Sequence, residues 1–219
     1  REGEALGSYY GYVADGYFQS QEEIDMADCV YGGNKANIKP GYIRYVDVNH
    51  DGEINSKDRV ILGNSTPRYE YSFTLGGQWK GIDLSLFFQG VGKRDLYYSG
   101  AGARPLVQNS TIFKSQLDTW SPENPDAEYP LLLVDAGSTN MNNIVSSFWI
   151  KSGAYLRLKN LTVGYTLPKK WTNRVSIDNL RLYFTINSGY KGYDPETGVT
   201  SGAMYPVMKT FNFGINLDF

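Results

Sequence analysis

The last ten residues, Thr210-Phe211-Asn212-Phe213-Gly214-Ile215-Asn216-Leu217-Asp218-Phe219, constrain this chain more than any other stretch. Phe211, Phe213, Ile215, Leu217 and Phe219 are large and apolar; Thr210, Asn212, Gly214, Asn216 and Asp218 are small or polar. Side chains alternate across a strand, so one face of this strand is greasy and the other wet. A soluble sandwich could contain such a strand but would rarely end on its last apolar residue. In a transmembrane β-barrel the same pattern means lipid outside and lumen inside. The expected fold is all-β: an antiparallel transmembrane β-barrel segment with long extracellular loops.

Composition agrees with that class. The 219 residues carry a net charge of -2, with 15% aromatics and 18 Tyr. Tyr- and Gly-rich, mildly hydrophilic chains suit barrels, whose inward positions are polar. No run approaches the roughly 18 apolar residues of a membrane helix, which leaves barrel strands open. The near-neutral charge gives no electrostatic case for nucleic acid. A single cysteine, Cys29, excludes a disulfide scaffold. The start at Arg1-Glu2-Gly3, with neither initiator Met nor signal peptide, reads as a piece of something longer. An enzyme is the weakest reading. His50 is the only His, and no Ser/His/Asp or Cys/His set or Gly-rich phosphate loop can be built.

Taken in order, residues 1–219 read as strands near 7–18, 69–79, 82–90, 154–167, 179–187 and 209–219. Loops are expected near 19–68, 91–150 and 188–208, with a short helical turn at Gln21 to Ala27. The sharpest hairpin is Tyr69 to Gln89. Tyr71, Phe73, Leu75 and Trp79 share one face, and Ile82, Leu84, Leu86 and Phe88 continue it after a two-residue Lys80-Gly81 turn. That turn pairs Trp79 with Ile82, Leu75 with Leu86 and Phe73 with Phe88; a one-residue slip would separate them onto opposite faces. In Tyr155 to Leu167, Leu161, Val163, Tyr165 and Leu167 alternate cleanly, but Arg157 and Lys159 share their parity. A charge facing mid-bilayer costs roughly 2–4 kcal/mol. That end must lie beyond the lipid, or a bulge must shift the phase.

Barrels of this kind end in the periplasm, so counting back from the last strand gives direction. The connections 188–208, 91–150 and 19–68 then fall outside, and Lys80-Gly81 and 168–179 inside. Every long connection is external and the tightest turn internal. About six strands cannot close a barrel, since the smallest use about eight; the chain must pair with strands elsewhere. Phe73, Leu75, Leu84, Leu86, Phe88, Phe211, Phe213 and Ile215 would face lipid. Glu70, Ser72, Gln78, Arg181, Tyr183 and Asn212 would line the lumen or touch a plug. Tyr97, Tyr98 and Trp120 would anchor loops, join the aromatic belt or stack on sugars.

One motif stands apart: Asp47-Val48-Asn49-His50-Asp51-Gly52-Glu53-Ile54-Asn55-Ser56-Lys57-Asp58. It matches most of an EF-hand-type calcium loop, D-x-N-x-D-G-x-I-x-x-x-D. Asp47, Asn49 and Asp51 would supply side-chain oxygens and Glu53 its carbonyl, with Gly52 at the sharp turn. Asp58 stands where a bidentate Glu is usual. The alternative is an acidic Asx-turn loop without metal.

Several stretches together resemble the SusC/RagA-type TonB-dependent transporters. They are Gly7-Ser8-Tyr9-Tyr10-Gly11-Tyr12 with Asp15-Gly16-Tyr17-Phe18-Gln19-Ser20-Gln21; Tyr45-Val46-Asp47-Val48-Asn49-His50-Asp51-Gly52 with Asp58-Arg59 and Leu62-Gly63-Asn64; Gly81-Ile82-Asp83-Leu84-Ser85-Leu86-Phe87-Phe88-Gln89-Gly90; and Tyr155-Leu156-Arg157-Leu158-Lys159-Asn160-Leu161-Thr162-Val163-Gly164-Tyr165. The terminal alternation Phe211, Phe213, Ile215, Leu217, Phe219 resembles the signal by which the barrel-assembly machinery recognises outer-membrane proteins. The resemblance runs from about Gly7 to Phe219. It implies the C-terminal part of a roughly 22-stranded barrel in the outer membrane of a Bacteroidota bacterium. It also implies partners: the remaining N-terminal strands and plug, a SusD-like lipoprotein lid, TonB acting through the N-terminal part, and a transported oligosaccharide or peptide. Asn187-Ser188-Gly189-Tyr190-Lys191-Gly192-Tyr193-Asp194-Pro195-Glu196 is shorter than the loop such transporters carry there. Two other readings use the same residues: a soluble calcium-dependent carbohydrate-binding β module, and a passive porin.

Overall fold

The computed structural model describes residues 3–99, 104–106, 111–133, 141–172, 176–188, 193–194, 199–200 and 208–219. In chain order the main elements are β1 (Ser8–Gly11), β2 (Ala14–Tyr17), α1 (Gln21–Met26), β3 (Ile43–Tyr45), β4 (Val60–Asn64), β5 (Tyr69–Trp79), β6 (Ile82–Lys93) and β7 (Asp95–Tyr97). There follow β8 (Ile150–Ser152), β9 (Tyr155–Thr166), α2 (Lys169–Thr172), β10 (Asn179–Asn187), β11 (Tyr193–Asp194), β12 (Val199–Thr200) and β13 (Thr210–Asp218). The chain forms two units, Arg1–Thr66 with Arg94–Ser152 and Pro67–Lys93 with Gly153–Phe219.

The second unit is a five-stranded antiparallel sheet in the order β13-β10-β9-β6-β5. Its central hairpin turns on Lys80 (φ 47) and Gly81 (φ 87). Positive φ at both central residues matches the right-handed twist of the flanking strands. The register is Trp79↔Ile82, Leu75↔Leu86 and Phe73↔Phe88, with the two Phe rings stacked 4.9 Å apart. On β9 the phase problem is solved by a bulge: Phe87 pairs with Asn160 but Phe88 with Leu158, so Lys159 is the extra residue. Two residues opposing one shift the face on which everything before the bulge points. Arg157 then opposes Gln89, and the Lys159 ammonium donates to Gln89 Oε1 at 2.6 Å.

Both long connections, 94–154 and 188–209, leave the sheet from one end, and the short ones, 80–81 and 167–178, join strands at the other. β5 and β13 are its two edges among the described residues. Most of the 188–208 loop lies outside the described residues; within it β11 pairs antiparallel with β12.

The first unit gathers the segments read as loops and gives them a core. The stretch read as a single barrel strand over 7–18 is two short strands in separate two-stranded sheets, β1 with β4 and β2 with β3. It breaks at Tyr12, whose N–H donates to Val145 O and whose carbonyl accepts from Ser147 N–H, and again at the irregularity around Asp15-Gly16, where Gly16 has φ 72. Helix α1 starts at an N-cap, Ser20, whose hydroxyl accepts from Glu23 N–H at 3.2 Å, while the Glu23 carboxylate reaches back to Gln19 N–H at 2.7 Å. The Ser20 hydroxyl satisfies one donor that the first turn leaves orphaned, and the Glu23 carboxylate ties the residue before the cap. α1 delivers Ile24 into a cluster with Phe18, Val30, Ile38 and Tyr42; Tyr12, Ile43, Tyr45 and Ile54 form a second. β7 and β8 pair to close the unit.

Lys80 pays the strain of a non-Gly residue at positive φ. Lys80→Asn should raise hairpin stability by about 0.5–1 kcal/mol. Gly81→Ala should lower it by about 1–3 kcal/mol, because a methyl there would sit 2.7 Å from Thr166 O. Urea unfolding midpoints of the two variants check the opposite signs.

Candidate functional site: a two-faced sheet and an acidic loop

Because every ladder in the sheet holds its register, parity propagates from edge to edge. One apolar row runs Leu84, Val163, Phe184, Phe213, and another Ile82, Tyr165, Leu182, Ile215. Among the described residues nothing covers them: Phe213 is 85% exposed, and Leu84, Val163, Leu182 and Ile215 are exposed too. Phe184 packs its ring on Phe213 and Phe211. Contiguous apolar surface on this scale is rare on soluble monomers and marks a membrane or partner interface.

The opposite face is polar and stitched across strands. One row runs Gly76, Ser85, Thr162, Thr185, Asn212. The Thr162 and Thr185 hydroxyls are bonded at 3.0 Å, and Asn160 donates to Asn187 at 2.7 Å. In the next row Arg181 reaches over β9 to Asp83, with Nε–Oδ1 at 2.8 Å and Nη2–Oδ2 at 2.5 Å. Gly164 between them makes this reach feasible, since a Cβ there would lie 2.4 Å from Asp83 Oδ1 and 2.5 Å from Arg181 Nη2. The Arg181 guanidinium also lies 5.1 Å from the Tyr183 ring centre, and that ring covers Gly214. Bidentate Arg–carboxylate pairs fix geometry as well as charge. This clasp binds β6 to β10 across the intervening strand.

In the first unit, the acidic loop folds around Asp58, which is 0% exposed. Its Oδ1 accepts from Val48 N–H at 3.0 Å and Asn49 N–H at 3.4 Å, and its Oδ2 from Asn55 N–H at 2.8 Å. Asp47 Oδ2 accepts from Gly52 N–H, Asn49 Oδ1 from Asp51 N–H, and Asp51 Oδ1 from Glu53 N–H. His50 sits at φ 57 and Gly52 at φ 84 to make the turn. Burial alone would raise the Asp58 carboxyl, but the backbone N–H groups of Asn55, Asn49 and Val48 outweigh it and hold it below the usual carboxylate range. Asp51 is lowered too, first by the Asn49 side chain. Among the described residues no three His, Cys, Asp or Glu groups converge as a metal set. An EF-hand-type set also draws on Asn and carbonyl oxygens, and one oxygen, Asp47 Oδ1, is buried with no hydrogen-bond partner.

Over its whole length the chain is 32% identical to TonB-dependent receptor P3 of Formosa agariphila, across 243 aligned residues that make up 23% of that protein. It is 27% identical to TonB-dependent receptor SusC of Bacteroides thetaiotaomicron, over 95% of this chain and 20% of SusC. Among solved structures, the RagAB peptide transporter matches with a TM-score of 0.65 at 21% identity, over 97% of this chain and 22% of the matched one. The chain belongs to the SusC/RagA family of TonB-dependent receptors. The RagAB peptide importer in its open-open state matches at a TM-score of 0.63 and 20% identity, over 98% of this chain and 23% of that one. No family model matches the chain. It spans 20–23% of the length of these relatives, and its sheet is an all-β segment of a receptor barrel.

Within that family fold, Phe211, Phe213, Ile215 and Leu217 lie on the apolar face of the edge strand β13, and Phe219 follows it, exposed. Asp47, Asn49 and Asp51 accept from backbone N–H groups of their own loop, and both Asp58 oxygens accept from backbone N–H groups as well. Trp120 is a loop anchor: it is 6% exposed, its Nε1 donates to Gln19 Oε1 at 3.0 Å, and its ring covers Gly41. Tyr97 is half-buried against Arg104 and Tyr9. The Asp83–Arg181 clasp escaped the sequence reading. Both residues sit between apolar neighbours, which assigns them to the polar face, and a Gly in the middle of β9 signals close approach.

Asp58→Ala leaves three backbone donors without their acceptor, so the loop should lose about 2–4 kcal/mol of local stability. A carboxyl lowered in the folded state stabilises above its unfolded pKa, about 3.9, and that contribution fades as pH falls through the folded value. Amide exchange at Val48, Asn49 and Asn55 should therefore be protected above about pH 4 and accelerate below it. In the Asp58→Ala variant it should be fast throughout.

Proposed function

We propose that this chain supplies wall and extracellular loops to a TonB-dependent importer of oligosaccharides or peptides in the outer membrane of a Bacteroidota bacterium. A SusD-like surface lipoprotein would close the extracellular mouth. The remaining strands and plug of the same receptor would complete the barrel and couple it to TonB. The observation that carries this reading is the apolar face running unbroken across five strands. Strands of 9–12 residues match the ≈ 9–11 that a tilted strand needs to cross a bilayer. The same face argues against a soluble carbohydrate-binding module, and kinship with receptors named for TonB favours driven import over a passive porin. The polar face, with its Arg181–Asp83 clasp and Thr and Asn ladders, would bound the lumen.

The test is uptake of labelled oligosaccharides and peptides by cells carrying the full receptor, with and without TonB. Import that needs TonB and co-purification of a surface lipoprotein support the reading. TonB-independent leakage returns the porin. The wall assignment is checked separately. Leu84→Arg should cost about 2–4 kcal/mol and deplete folded, heat-modifiable receptor from the membrane, whereas Ser85→Arg, one position along on the polar face, should assemble.

A second reading concerns the acidic loop, where the unpartnered, buried Asp47 Oδ1 favours a cation. Calcium would be held by Asp47, Asn49, Asp51, the Glu53 carbonyl and, after the loop rearranges, Asp58, and would rigidify the loop. Calcium should then raise the melting temperature of the receptor relative to chelator, and Asp47→Asn should abolish the increment. An identical melting temperature in both buffers would leave the loop closed by its own hydrogen bonds.

A further inference from the structure

The 94–154 connection holds a buried cation that its described surroundings leave unbalanced. Arg104 is 9% exposed, and its Nε is buried with no hydrogen-bond partner. Its Nη2 donates to the Tyr97 hydroxyl. Its Cζ lies 5.1 Å from the Tyr97 ring centre and 5.0 Å from that of Trp149. Backbone pairing fixes where those two rings stand. Tyr97 in β7 pairs with Ile150 in β8, and Tyr98 N–H donates to Trp149 O at 2.8 Å. Trp149 is itself buried, with its Nε1 tied to Asn142 O at 2.7 Å. The Tyr45 phenol lies within reach of the same charge: burial raises it, and Arg104 is among the groups that oppose the rise.

Among the described residues Arg104 makes no ion pair. In the same unit Asp15 and Glu23 are held by Arg44, and Asp51 by Lys57. A guanidinium withdrawn from water needs a negative partner, because aromatic rings return only part of its lost hydration. Its planar fork of N–H donors matches the two oxygens of a carboxylate. One guanidinium balances one negative charge. In surroundings this apolar the pairing is stronger than it would be in water.

We propose that Arg104 is a subsite for a carboxylate carried by the imported cargo, whether a uronate of an oligosaccharide or the C-terminal carboxylate of a peptide. The Nε–H and a neighbouring guanidinium N–H donate to its two oxygens, while Tyr97 and Trp149 hold the guanidinium in place. An acidic side chain of a surface lipoprotein would supply the same charge. A cation recessed this far suits a small projecting group better than a broad protein surface. The inference rests on the importer reading, which puts this connection on the extracellular side.

The test is calorimetric titration of the full receptor, purified in detergent, with trigalacturonate, its methyl ester, trialanine and trialanine amide. One of the two carboxylates should bind saturably, and its ester or amide about tenfold or more weakly. The pair that shows the difference tells uronate from peptide. Arg104→Gln should weaken the carboxylate about 10–100-fold and leave the ester or amide unchanged. Arg104→Lys, which keeps the charge but not the fork, should fall between. Heat-modifiable mobility first establishes that the variants assemble; the ester and amide comparison needs only the unaltered receptor and stands if they do not. Equal binding within both pairs overturns the proposal, as does the absence of saturable binding or undiminished carboxylate binding in Arg104→Gln. Loss of a co-purifying surface lipoprotein from Arg104→Gln, with carboxylate binding intact, also overturns it and assigns Arg104 to a protein contact. Titration needs no TonB, so a receptor that binds the carboxylate yet leaks cargo without TonB fails the importer reading and not this one.

Discussion

Everything in the sheet depends on one geometric constraint, that neighbouring strands keep their parity. Backbone ladders hold Leu84 beside Val163, Val163 beside Phe184 and Phe184 beside Phe213. A slip of one residue at any ladder would put a greasy row into the wet face and Asp83 or Arg181 into the greasy one. Two local devices protect the register. The Lys80-Gly81 turn admits a single pairing of β5 with β6. The Asp83–Arg181 clasp ties β6 to β10 over Gly164, so three strands must be aligned before it closes.

How much of this was legible depended on whether local period survived. The last strand and the hairpin announce themselves because alternation there is uninterrupted, and the observed pairs are those the two-residue turn dictates. β9 was ambiguous, since Arg157 and Lys159 share parity with Leu161. Only the partner strand shows that Lys159 is looped out and that Leu158 and Leu156 take the apolar positions. The stretch 7–18 misled because Tyr and Gly suit a strand without fixing its length. What divides it is tertiary, a backbone exchange between Tyr12 and residues more than a hundred positions away. The Asp83–Arg181 pair was hidden by distance along the chain. Asp58 was read as a ligand from its place in a motif, and its engagement by backbone donors is a feature that no spacing reports.

The aperiodic segments are ordered by a different economy. Their cores are rich in Tyr, which buries a ring and then finds an acceptor for its hydroxyl. Tyr45 donates to Met141 O at 2.8 Å, and Tyr17 to Ala127 O at 3.1 Å and Glu128 O at 3.2 Å. Burial raises the phenols of Tyr17 and Tyr45, and pushes Tyr129 up to about 12, so all three stay neutral. Trp149 Nε1 likewise donates to the Asn142 carbonyl seven residues back at 2.7 Å, and the Asn142 side-chain oxygen accepts from the distant Ile43 N–H at 2.9 Å. Long connections held this way need no regular secondary structure, which is why periodicity sees nothing in them.

The sheet's open edges have a consequence for how such a piece comes into being. The outer sides of β5 and β13 present backbone donors and acceptors with no strand beside them among the described residues. In water those groups are solvated; in hydrocarbon each unmatched one costs several kcal/mol. Over strands of 11 and 9 residues the penalty outweighs what the greasy face gains. Five strands can therefore form in an aqueous compartment, but they cannot enter lipid as five. Insertion has to wait for neighbours on both sides, making membrane entry a collective event whose timing is set by the slowest strand to arrive.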